Sequence, residues 1–167
     1  LELNVFAHMD KVVEEAKPHF IILTGDNTYG EFDEDYSMID ALIKKLDSYK
    51  IYWGFAYGNH DRESLVSELA ARYSSSEYCL YANASEGKEF YYSVAIKQNG
   101  ETIRAIYLMD TNSTASAAAK DDLVKVPGMT AEQVNWFART SAEIIEKSGN
   151  ANLPASIFTH IPSTQVY

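Results

Sequence analysis

Hydrophobic positions near the start of the chain recur at helical spacing. Val5, Met9, Val12, Val13 and Ala16 fall on one side of a helix predicted over 3–17. Pro18 ends it, and His19-Phe20-Ile21-Ile22-Leu23-Thr24 is a short, mostly apolar run with Gly25 behind it, the pattern of a strand buried on both faces. A second helix over 34–49 places Met38, Ala41, Leu42 and Leu46 on one face. The acidic residues at its start (Glu31, Asp33, Glu34, Asp35) read as a solvated helix beginning, favourable beside the helix N-terminus. Ile51 to Tyr57 is the next apolar run, stopped by Gly58, and Asp61 or Ser64 can cap a third helix through about Arg72.

Two further strands, Phe90 to Lys97 and Thr102 to Met109, flank Gln98-Asn99-Gly100 and form a hairpin. The segment 112–129 is Ser/Ala-rich and then Pro-Gly, a long loop of the kind often functional in compact domains. Thr130 caps a helix over 131–147 with Val134, Phe137, Ala138, Ile144 and Ile145 as its core side. Pro154 to Thr159 is a last strand, with His160-Ile161-Pro162 at its end. Strands alternating with helices, plus one hairpin, predict an α/β domain with a mixed sheet. The 33 residues from Asp26 to Asn59 hold one helix and one strand, enough for a right-handed βαβ crossover.

Composition narrows the class. At 167 residues with 46% hydrophobic and 23% charged content, the chain is of ordinary globular type and of single-domain size. No apolar run approaches the roughly 18 residues that span a bilayer. A formal charge of −10 argues against nucleic acid as a partner, because phosphate backbones attract Lys/Arg surfaces. An anionic substrate can still bind where metal cations reverse the local field. The single cysteine, Cys79, excludes an internal disulfide and a thiolate cluster, and reads as a buried strand or loop thiol. The chain opens on Leu1-Glu2-Leu3-Asn4, with no basic region of a signal peptide, and its compartment stays open.

Three polar clusters follow directly on predicted strand ends: Gly25-Asp26, Gly58-Asn59-His60-Asp61 and His160. In open α/β sheets ligands bind beyond the carboxyl ends of strands, so these ends can converge. A carboxylate, an amide oxygen and an imidazole suit Mn, Fe, Zn or Mg. Gly-Asp after a strand is by itself often only a turn, and a lone histidine is often structural. Gly-Asn-His-Asp with Gly-Asp 33 residues earlier favours a metal site at these strand ends. Asp110 reads as a loop-capping residue, and His8 and His19 as surface residues.

Gly58-Asn59-His60-Asp61 beside Gly25-Asp26-Asn27-Thr28-Tyr29 resembles the calcineurin-like metallophosphoesterase superfamily, over nearly the whole chain. Leu108-Met109-Asp110-Thr111, Thr130-x-x-Gln133-x-x-Trp136-Phe137 and Phe158-Thr159-His160-Ile161-Pro162 follow in an order similar to the branch related to purple acid phosphatases. The resemblance implies an αββα sandwich with mixed sheets, and hydrolysis of phosphate esters through two metal ions (Fe, Mn or Zn). It implies Asp26 as the carboxylate bridging both metals, with Asn59 and His160 on the second metal. Tyr29 would bind ferric iron as a phenolate, or simply pack at the sheet end. His60 would lie near the scissile phosphate as proton donor, with Asp61 orienting it.

The family's first-strand Asp-x-His or Asp-x-Gly element and its Gly-His-x-His element do not occur in this sequence. The expectation is therefore a partial catalytic domain over 1–167, with weak or absent metal occupancy and impaired turnover. The incomplete sheet would leave an edge able to pair with another copy. The partner implied is a phosphorylated small molecule or phosphoprotein. The competing expectation is a non-catalytic domain that keeps the fold to bind a phospho-ligand or a protein.

Overall fold

Alternation along the strands sorts the side chains of this chain into three apolar layers. The computed structural model describes residues 2–83, 91–111 and 128–162. Strand β1 (Ile21–Leu23) pairs in parallel with β2 (Trp53–Phe55). Strands β3 (Tyr91–Gln98) and β4 (Glu101–Met109) pair antiparallel, and β5 (Ala155–Phe158) adds to β4 in parallel. Successive strand residues point to opposite faces. Trp53 and Phe55 therefore face helices α2 (Ser37–Ser48) and α3 (Val66–Ser74), where they share a core with Ile39, Leu46, Leu69 and Tyr73. Ile22 faces the other sheet, among Tyr92, Ile106, Leu108 and Phe158. Tyr107 and Met109 alternate away from that layer and pack on Trp136 of α4 (Ala131–Ser148). The layers are helices, a parallel pair of strands, a mixed three-stranded sheet and a helix: an αββα sandwich.

A buried phenol bridges the two sheets. Tyr92 Oη accepts the Phe55 N–H at 2.7 Å and donates to the Phe55 carbonyl at 3.0 Å. Gly54 makes room for it, since a Cβ there would stand 2.9 Å from that hydroxyl. Helix α1 (Glu2–Ala16) meets this core through Met9, and its Asp10 pairs with Lys45 of α2. Val5 and Val12 of its predicted apolar face are exposed, and with Met9 they line a groove of about 710 Å³ that runs along β1 to Asp26.

Local signals are obeyed closely. The hairpin turn is Asn99-Gly100, both with positive φ (52° and 86°), as a two-residue type I′ connection requires. Thr130 and Gln133 form a reciprocal capping box on α4, and Gly149 closes it at φ 66°. The third helix begins differently from expectation. Residues Asp61–Glu63 form a 3-10 turn, and α3 starts after Leu65 without a side-chain cap, because the Asp61 carboxylate is engaged elsewhere.

Helix faces are where the pattern misleads. On α2 the buried residues are Ile39, Ile43 and Leu46, while Met38 is exposed. On α4 Val134 and Ile145 are exposed, and Gln133 and Trp136 are buried. Both helices carry an apolar stripe wider than the face the sheet accepts, so packing selects one side of it. Asp33 also departs from the solvated reading. It is 2% exposed, and its carboxylate accepts the N–H groups of Met38 (2.9 Å) and Ile39 (3.1 Å) in the first turn of α2. Residues 112–127 of the predicted long loop lie outside the described residues.

Candidate metal centre

The carboxyl ends of β1, β2 and β5 come together, one from each sheet edge and one from the sheet opposite. Gly25 and Asp26 both have positive φ (99° and 50°), a sharp exit from β1 that non-glycine residues adopt only when held. Asp26 is held by the second motif. Its Oδ1 accepts the His60 N–H at 2.9 Å, and a Cβ built on Gly58 would run into the Asp26 backbone nitrogen and Oδ1. Glycine at 58 is thus required by the approach of the two loops.

His160, at the end of β5, reaches across to β1. Its Nδ1 lies 2.9 Å from the Thr24 carbonyl and its Nε2 3.2 Å from Asp26 Oδ2. The ring packs on Gly25, where a Cβ would stand 2.6 Å from Nδ1. A carbonyl accepts only, so Nδ1 carries the proton and a neutral ring turns its Nε2 lone pair toward a carboxylate. Two lone pairs facing each other need a cation between them, either a proton or a metal ion. Ligands about 2.1 Å from one ion stand roughly 3–3.4 Å apart, so this separation suits two ligands of one metal. Asn59 sits between Gly58 and His60, the residues that touch Asp26, and is half-buried. Among the described residues no group of three or more His, Cys, Asp and Glu side chains gathers around one point. Asp26 and His160 are two such side chains, and Asn59 places an amide in the same loop.

Asp61 was expected to orient His60, but its partners are different. It is fully buried, and Oδ1 accepts the N–H groups of Asn27 (2.9 Å) and Thr28 (3.2 Å), while Oδ2 accepts the Gly58 N–H (2.8 Å) and the Asn27 amide (3.3 Å). Burial pushes its carboxyl up to about 6, against the backbone N–H groups that pull it down. Asp61 ties the first motif loop to the second. His60 Nδ1 instead meets Glu63 Oε1 at 2.7 Å. Tyr29, the expected phenolate, stacks its ring on the His60 imidazole, centroids 3.7 Å apart and planes 26° off parallel. Asp110, expected to cap a loop, is buried and ion-paired with Arg62, which links the end of β4 to the second motif. Glu63 and Arg62 were not singled out in the sequence. The His-x-x-Glu spacing of 60 and 63, one helical turn, was the available signal.

The chain is 24% identical to the probable inactive purple acid phosphatase 29 of Arabidopsis thaliana over 185 aligned positions, covering 96% of this chain and 46% of that protein. It is 26% identical to the probable inactive purple acid phosphatase 14 of the same plant, over 96% of this chain and 45% of that one. A shorter stretch of 70 positions, 41% of this chain and 17% of the relative, is 33% identical to probable inactive purple acid phosphatase 28. The chain thus spans less than half the length of these relatives. The family model of calcineurin-like phosphoesterases matches residues 3–165, nearly end to end, and the chain belongs to that family.

Proposed function

We propose that the protein of which this chain is part hydrolyses phosphate esters at a metal site built on Asp26, Asn59 and His160, with His60 as proton donor. The observation that carries this reading is the Asp26–His160 pair, an imidazole Nε2 3.2 Å from a carboxylate oxygen across two sheets. Phosphoester chemistry is that of the family. Asp26 would bridge two ions, with Asn59 and His160 on one of them and Tyr29 on the other. Bound cations of the Fe, Mn or Zn type would supply positive charge against the phosphate and acidify water.

The chain's own residues do the rest. Asp26 holds its carboxylate through the His60 N–H, and His160 is held through Thr24. A water oxygen forms the new P–O bond and releases a proton to solvent as the ester P–O bond breaks. The departing oxygen takes the proton from His60 Nε2, and the ring regains one from solvent. A positioned imidazole ring nitrogen suits such a transfer.

A second reading has its own support: the relatives are named probable inactive, and no three-residue His/Cys/Asp/Glu cluster gathers among the described residues. In it the fold binds a phospho-ligand without turning it over. Metal binding by calorimetry and turnover of p-nitrophenyl phosphate and its bis-ester decide between them. Asp26→Asn and His160→Ala are expected to abolish metal binding, and His60→Ala to abolish turnover while metal content stays. Metal binding that survives both of the first two substitutions would sink the site as drawn. Bound metal with no turnover of either ester would favour the second reading.

A further inference from the structure

His60 is gripped from two sides by residues outside the Gly-Asn-His-Asp motif. Glu63 Oε1 stands 2.7 Å from Nδ1, and the two side chains are only 20% and 15% exposed. The other oxygen of that carboxylate, Oε2, accepts the Glu31 N–H at 3.1 Å. Gly30 donates its N–H to the His60 carbonyl at 3.2 Å, and a Cβ on Gly30 would stand 2.6 Å from the Ser64 backbone. Tyr29, next in the same turn, lies flat on the imidazole. The Glu63 N–H also returns to the His60 carbonyl, closing the 3-10 turn that sets the spacing of the pair. Glu63 is therefore fixed at both carboxylate oxygens, and the ring is fixed at one nitrogen and one face.

We propose that Glu63, not Asp61, is the positioning residue for His60. The geometry leaves Asp61 no part in it, because both Asp61 oxygens are taken by Asn27, Thr28 and Gly58. Glu63 accepts the Nδ1 proton, selects the Nδ1–H form of the neutral ring, and leaves Nε2 as the nitrogen that exchanges a proton. Outer partners of this kind typically change activity by about 10–100-fold when removed. The catalytic consequence rests on the proton-donor reading of His60 above; the choice of tautomer does not.

Two measurements separate these. In this chain, nitrogen-detected NMR of ¹⁵N-histidine protein, at a pH where the ring is neutral, reads the tautomer of His60, assigned by its loss in His60→Gln. The Nδ1–H form is expected in the native protein. Glu63→Ala should revert it to the Nε2–H form that free imidazole prefers, and Glu63→Gln, whose amide oxygen still accepts, should keep it. An Nε2–H ring in the native protein, or an unchanged tautomer in folded Glu63→Ala, would overturn the proposal. In the metal-loaded intact protein, Glu63→Ala should lower kcat about 10–100-fold with KM within about twofold, and Glu63→Gln should recover part of the loss. Turnover in the native protein with no kcat loss in Glu63→Ala would also count against it. Absence of turnover in the native protein would instead strike the phosphoesterase reading, and the tautomer would still decide this one.

Discussion

Gly58 and Asp26 approach so closely that no side chain fits between them: a Cβ on Gly58 would overlap the Asp26 amide nitrogen and carboxylate. The two loops that carry the candidate ligands are packed backbone against backbone. Substituting Gly58→Ala should therefore displace Asp26. Overpacking of this kind costs roughly 1–3 kcal/mol. Chemical denaturation should show that loss, and calorimetry with Mn or Zn should show metal binding falling further than stability explains. Unchanged metal binding in Gly58→Ala would mean the contact does not set the ligand.

Asp61 is a knot between those loops, and an amide cannot replace it. Asn at this position would turn an NH₂ toward N–H donors that now meet a carboxylate oxygen. Leaving such buried groups unsatisfied costs about 1–3 kcal/mol, more for charged partners. Asp61→Asn should lower the urea midpoint accordingly without altering the slope. A midpoint equal to that of the native chain would show the network contributes little.

Tyr92 tests the junction of the sheets in the same way. Tyr92→Phe keeps the ring in its layer but strips the Phe55 N–H and carbonyl of their shared partner. About 1–3 kcal/mol is expected to be lost, since these groups sit where water does not reach. Thermal and urea unfolding should agree on that figure, and a neutral outcome would place water in the junction.

Cys79 should be chemically silent in the native protein. It is fully buried, and burial pushes its thiol from about 9 up to about 12. At a given pH below both values, that shift lowers the thiolate fraction roughly a thousandfold. Because the folded value lies above the unfolded one, the associated stability is fully present below about pH 9 and is lost as pH rises through 12. Reaction with a thiol reagent at pH 8 should be negligible until urea unfolds the chain. Stoichiometric labelling under native conditions would contradict the buried setting.

What could be read from the residues alone was whatever the chain states locally. Asn99-Gly100 dictates its own turn, Thr130 and Gln133 cap their own helix, and Gly25-Asp26 and Gly58-Asn59-His60-Asp61 announce themselves by falling at strand ends. These signals act over two to four residues, where backbone sterics and short hydrogen bonds dominate. The sides that α2 and α4 bury were not legible, because each carries more apolar surface than one face can use and the sheet chooses among them. Asp33 looked like surface charge until the fold curled it over the first turn of α2.

The partner of His60 shows the same division. The resemblance implied Asp61, yet residues 27, 28 and 58 arrive through the fold and take that carboxylate. Glu63 and Tyr29 are left to hold the ring. The sequence by itself determined the family, the strand ends and which polar side chains stand there. Only the tertiary structure decided which carboxylate meets which nitrogen, since a buried charge goes where donors from distant segments converge.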